Sequence, residues 1–187
     1  LRTGSGFSGR DSGYSLRERY LPSSSVIPAV HRIVSDVFNI AITEVTSISP
    51  GDPGLSLYQI SDPRDGSRKA YFYLLTRPSE NQTRTSGMTY YLRAGRYTGT
   101  CHTPAVSAVI VTVPSHMPDG EVLIGPESLE TLFHEYGHML RHSLSTSPYG
   151  RLSSMSREPV GFNEVISKFL ERFASSPDVI ERIYGPG

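Results

Sequence analysis

The stretch Leu129–Leu144, LETLFHEYGHMLRHSL, decides how the rest of this 187-residue chain is read, because H-E-x-x-H lies in it within a helical hydrophobic pattern. Leu129, Leu132, Phe133, Tyr136, Met139, Leu140 and Leu144 recur at spacings of three and four, which predicts a helix buried around much of its circumference. Gly125-Pro126 opens it, since proline is tolerated at the first helical position. Positions i and i+4 lie one turn apart on one face, so the imidazoles of His134 and His138 can reach one divalent ion with Glu135 beside them. That is the arrangement of a hydrolytic zinc site, with Glu135 as the catalytic base. The same residues could be ordinary polar positions on a helix, so the surrounding sequence has to decide.

A hydrolytic zinc centre takes a third protein ligand and leaves its fourth position to water. Glu164 can supply it from a second helical segment, predicted over Glu158–Ser175, whose apolar face is read as Val160, Val165, Ile166, Phe169, Leu170 and Phe173. Glu164, Ser167 and Glu171 share a polar stripe beside that face. Two antiparallel helices joined by a loop around Tyr149 bring Glu164 against His134 and His138. Glu130, one turn before His134, is a candidate for orienting a ligand imidazole from the second shell of the metal, with a plain surface charge as the alternative.

These residues carry a resemblance. TLFHEYGHML followed by GFNEVISKFLERFASSPDVI resembles the thimet oligopeptidase family of zinc peptidases, and within it the mitochondrial intermediate peptidase type. That family reads L-F-H-E-[FM]-G-H around the metal helix and D-F-x-E-x-P-S at the third ligand. Glu164 falls on the ligand glutamate, Ser167 on the motif serine, and Phe173-Ala174-Ser175 on the run that follows. The resemblance implies an α+β fold, a zincin-like metallopeptidase catalytic core fragment with a small sheet packed on helices. It also implies Zn2+ held by His134, His138 and Glu164, Glu135 as general base, and a peptide substrate. For the mitochondrial type, it implies presequence processing in the matrix.

The likeness extends upstream. Tyr71 to Arg77 lies on a family run Y-x-D-x-x-x-R, with Tyr73 where aspartate is usual, and Met88–Arg96 is similar to a run ending R-G-G-R. Ala105–Pro114 resembles the buried strand that runs toward the metal helix, where an extended peptide would be held by main-chain hydrogen bonds. Arg141 replaces a usual histidine, Gly161, Asn163 and Ile166 depart from the pattern around Glu164, and Ser153-Ser154-Met155 lacks a turn glycine. The resemblance further implies that channel-forming helical portions, and a downstream histidine and tyrosines, lie outside this stretch. Two expectations follow: other polypeptide chains complete the peptidase, or the chain is a non-catalytic, peptidase-derived structural subunit of a larger mitochondrial assembly.

Composition limits the other function classes. A formal net charge of zero argues against a nucleic-acid surface. The longest apolar run, Ala105–Val113, is far too short for a membrane helix. Cys101 is the single cysteine, which precludes an internal disulfide and fits a reducing or mitochondrial interior. Asn81-Gln82-Thr83 reads as an ordinary loop. Leu1–Ser25, rich in Gly, Ser and Arg, reads as an extended or disordered arm of a mature or partial chain, and residues 26–187 as a partial catalytic domain.

Within that domain, Val26–Ile40 follows a helical period with serines before it as caps and Asn39 at its end. Ile40–Ile48 reads as a strand, Gly51–Gly54 as a turn, and Leu55–Ser61 with Lys69–Thr76 as a hairpin. Ser176-Pro177 starts a last short helix. His142 reads as a C-terminal histidine facing the helix dipole.

Overall fold

The computed structural model describes residues 20–48, 51–52, 54–79, 83–99, 101–114, 122–147 and 160–185. Most of the N-terminal arm, Pro53, Asn81-Gln82, Tyr149, Ser153–Met155 and the start of the segment expected from Glu158 lie outside these residues. The described part begins before Val26. Leu21–Pro22 (β1) pairs antiparallel with Leu123–Ile124 (β9), and the first helix, α1, runs Ser23–Phe38. The serines expected to cap α1 therefore lie inside it. Pro22 occupies the N-cap, and no side chain caps the helix. Asn39 ends it in the left-handed conformation at φ 50°, which asparagine tolerates better than most residues.

A five-stranded sheet follows in spatial order β2 (Ala41–Glu44), β3 (Leu55–Ser61), β4 (Arg68–Ser79), β8 (Ala105–Pro114), β5 (Ser86–Arg93). The strand expected over Ile40–Ile48 is thus confined to its first half. The β3–β4 hairpin turns at Asp62, whose carboxylate accepts hydrogen bonds from the backbone and guanidinium of Arg64, and closes through Gly66 at φ 71°. Between β5 and β8, Arg96–Thr98 (β6) and Cys101–Thr103 (β7) form a small separate ribbon.

The long strand β8 pairs parallel with β4 on one side and antiparallel with β5 on the other. Its sequence, AVSAVIVTVP, is apolar at nearly every position, as suits a central strand. This corrects the expectation that Ala105–Pro114 holds an extended peptide, because both its hydrogen-bonding edges are taken. Among the described strands, the edge on that side of the sheet belongs to β5.

One face of the sheet is the core. Tyr58, Ile60, Ala70, Phe72, Leu74, Val109 and Val111 are buried against α1 and against α2, Pro126–Ser143. His31 of α1 joins the two, with its ring 4.5 Å from that of Tyr58 and its Nε2 2.7 Å from the hydroxyl of Tyr136. On the other face Tyr71, Tyr73, Val106, Ala108 and Ile110 are only half-buried, and Met88, Tyr90 and Leu92 of β5 are exposed.

Helix α3 (Val160–Ala174) packs on α2, and α4 (Pro177–Tyr184) returns beneath α1. The apolar face expected for α3 is only partly inward. Ser167, Leu170 and Ala174 are buried, while Val165 and Phe169 are 54% and 52% exposed and Phe162 lies beside them at 62%. Among the described residues no helix is long and apolar enough to cross a membrane.

Candidate metal centre

The contact between α2 and α3 is made through Gly137, the fourth residue of H-E-Y-G-H. A Cβ there would lie 2.4 Å from Ser167 Cα and 2.7 Å from Ser167 N, so only glycine lets the two helix backbones meet. Close approach brings short side chains together across the seam. His134 Nε2 lies 3.1 Å from His138 Nε2, and Glu164 Oε2 lies 3.5 and 3.6 Å from them. A tetrahedral zinc with bonds of 2.0–2.1 Å needs donor separations of about 3.3–3.4 Å, and this triangle brackets that value. The sequence-predicted ligands are therefore brought together.

Protonation states also suit a cation. His134 Nδ1 is 2.8 Å from Glu171 Oε2, so the ring carries its proton there and leaves the Nε2 lone pair toward Glu164. Burial lowers the pKa of His138, which favours the neutral form a metal ligand requires. Glu164 is held by the fully buried Ser167, whose Oγ donates to its Oε2 at 2.8 Å. Glu171 is kept below its usual carboxylate range, first by the hydrogen bond from Lys168 and then by that to His134.

Glu130, expected beside an imidazole, is turned elsewhere. Its carboxylate accepts from Ser175 Oγ at 3.0 Å, and Glu171 takes the place against the imidazole that was assigned to it. Glu171 shares the polar stripe of Glu164, seven residues on, and that spacing of two helical turns is the signal for it in the sequence. His142 lies in the last turn of α2, as expected of a C-terminal histidine, yet it does not face solvent. It is buried, its Nε2 lies 2.9 Å from the Arg93 carbonyl, and its ring is 4.8 Å from that of Tyr91.

Glu135 turns away from the seam with α3 and toward the sheet. It is 6% exposed, and its carboxylate lies along β5, where Thr89 Oγ1 donates to Oε2 at 2.6 Å. Tyr91, two residues on, has its phenol pushed up to about 12 by burial and then by the charge of Glu135. Two departures noted in the sequence meet here as well: Arg141 Nη1 donates to Asn163 Oδ1 at 2.6 Å and its guanidinium lies over the Phe162 ring.

Comparison with known proteins finds relatives among the oligopeptidases. The "Probable thimet oligopeptidase" of Arabidopsis thaliana is 25% identical over 169 residues, covering 89% of this chain and 23% of that protein. Oligopeptidase A of Salmonella typhimurium is 24% identical over 167 residues, covering 89% and 24%. Mitochondrial intermediate peptidase of Mycosarcoma maydis is 36% identical over 67 residues, covering 36% and 7%. The chain thus spans about a quarter of the length of the first two. The profile of Peptidase family M3 matches residues 10–185, nearly the whole chain. Because that profile covers nearly all of its residues, the chain belongs to Peptidase family M3.

Proposed function

We propose that this chain is the metal-bearing part of a zincin-like, zinc-dependent endopeptidase, and the convergence of His134, His138 and Glu164 is the observation that carries the reading. The three side chains would hold the ion. Bound there, zinc supplies a Lewis acid for the scissile carbonyl and lowers the pKa of a water toward neutrality. Glu135 accepts the proton that this water loses and delivers it to the departing amine nitrogen, so that the C–N bond breaks to give a free carboxylate and a free amine. Glu171 and Ser167 keep His134 and Glu164 aimed at the ion. The edge of β5, outermost among the described strands and next to Glu135, would align an extended peptide by main-chain hydrogen bonds.

A presequence or an oligopeptide is the substrate class, and a mitochondrial setting is supported by the mitochondrial and the "chloroplastic/mitochondrial" relatives. Cytosolic and bacterial relatives stand beside them. The exposed apolar residues Phe162, Val165 and Phe169 on α3, and Met88 and Leu92 on β5, favour a chain that works against further polypeptide. That observation also supports a second reading, in which the fold serves as a non-catalytic subunit of a larger mitochondrial assembly.

Metal analysis of the purified chain, with peptide hydrolysis by wild type and Glu135→Gln, tests both. The peptidase reading expects one zinc per chain in each protein and turnover in the wild type alone. Wild-type chain that binds no zinc under chelator-free conditions sinks the metal site. A zinc-loaded wild type that cleaves nothing, even with its native partners present, supports the subunit reading.

A further inference from the structure

Strand β5 does more at this site than form an edge. Up to a bulge at Leu92, its alternation turns Gly87, Thr89 and Tyr91 toward α2 and leaves Met88 and Tyr90 exposed on the other face. Gly87 lies directly under the Glu135 side chain. A Cβ at Gly87 would be 2.6 Å from Glu135 Cγ and 2.8 Å from Oε1, so the absence of a side chain makes the bed on which the carboxylate lies. Thr89 Oγ1 then reaches Oε2 at 2.6 Å, a length typical of a hydroxyl donating to a charged carboxylate, and its 3.1 Å contact to the Glu135 carbonyl is the weaker use of the single hydroxyl proton.

We propose that Thr89 is a positioning residue for Glu135, fixing the carboxylate on Gly87 so that it stays in place while it takes and returns a proton; this rests on the peptidase reading above. A glutamate has three side-chain torsions to fix, and a nearly buried carboxylate needs a donor to offset its lost hydration. Thr89 supplies that donor from the strand beside which a substrate peptide would lie. An ordered β5 and an aligned base are therefore one structural condition. A misplacement of about 1 Å in such a group can cost on the order of a hundredfold in rate.

The test uses the zinc-loaded full chain, with its native partners if turnover requires them. Thr89→Val keeps the shape and removes the donor; Thr89→Ser keeps the donor. For Thr89→Val the expected result is a kcat lowered by about ten- to a hundredfold with KM and zinc content unchanged, and for Thr89→Ser recovery to near wild type. A crystal structure of the valine variant should show Glu135 displaced from Gly87, a readout independent of turnover. If Glu135→Gln is inactive while Thr89→Val keeps both wild-type kcat and the wild-type position of Glu135, the inference is overturned. Losses of zinc, KM and melting temperature in the valine variant that serine also shows would overturn it too, since they mark a packing role alone. If Glu135→Gln cleaves as well as wild type, it is the peptidase reading that fails.

Discussion

Glu171 Oε2 lies 2.8 Å from His134 Nδ1 and takes a second hydrogen bond, also at 2.8 Å, from Lys168 Nζ. One carboxylate oxygen thus fixes both the tautomer and the tilt of a ligand imidazole. Glu171→Ala should weaken zinc binding by about ten- to a hundredfold while leaving one site per chain. Glu171→Gln should lose less, because its amide oxygen can still accept from Nδ1. Competition titration against a chelator measures both, and an unchanged affinity in the alanine variant would show that the ring is oriented by something else.

The ligands themselves should behave differently. His134→Ala or Glu164→Ala removes a donor from a triangle that has no spare one among the described residues, so stoichiometric zinc should be lost in either. Elemental analysis after gel filtration reads this directly. Full occupancy in Glu164→Ala would mean that the third donor is a different residue.

Gly137→Ala should destabilise the chain, although alanine ordinarily stabilises a helix by about 1 kcal/mol relative to glycine. The added methyl would meet Ser167 backbone at 2.4 Å, and overpacking of this kind costs about 1–3 kcal/mol. Because α3 must move to make room, zinc affinity should fall with stability. Urea denaturation with and without zinc distinguishes the effects, and a more stable alanine variant would show that the helices do not meet there.

His31 sets a pH limit on the fold. Burial lowers its pKa from 6.5 to about 4, so the unfolded chain binds the proton more readily than the folded one. Its contribution is complete above pH 6.5 and declines as the pH falls toward 4, at up to about 1.4 kcal/mol per unit within that window. His31→Gln, which can still bond the Tyr136 hydroxyl, should flatten this part of the profile. Denaturation midpoints between pH 4 and 7 check it, and parallel curves for the two proteins would place the acid sensitivity elsewhere.

Much of this was legible because it is local. His134, Glu135 and His138 are fixed by one helical turn, and the helix announces itself through Leu129, Leu132, Phe133 and Tyr136, all buried. What failed to show in the sequence depends on partners far along the chain. Glu130 stands one turn from His134 and Glu171 two turns from Glu164, and only the position of α3 decides that the first meets Ser175 and the second the ring. The central place of β8 depends on its insertion between β4 and β5, which no run of residues announces. Val165 and Phe169 fit a helical apolar period, yet the small residues Gly137 and Ser167 rotate α3 so that those two face outward.

The bare backbone contact at Gly137 also bears on which ion is admitted. Two of the donors ride on one helix and the third on its neighbour, so the closeness of the two helices at Gly137 helps set how near the donors come. Two imidazoles and one carboxylate drawn this close suit a small ion, whereas calcium gathers six to eight oxygens at 2.3–2.6 Å. In the proposed zinc site, a residue with no functional group thus becomes a gauge of the centre.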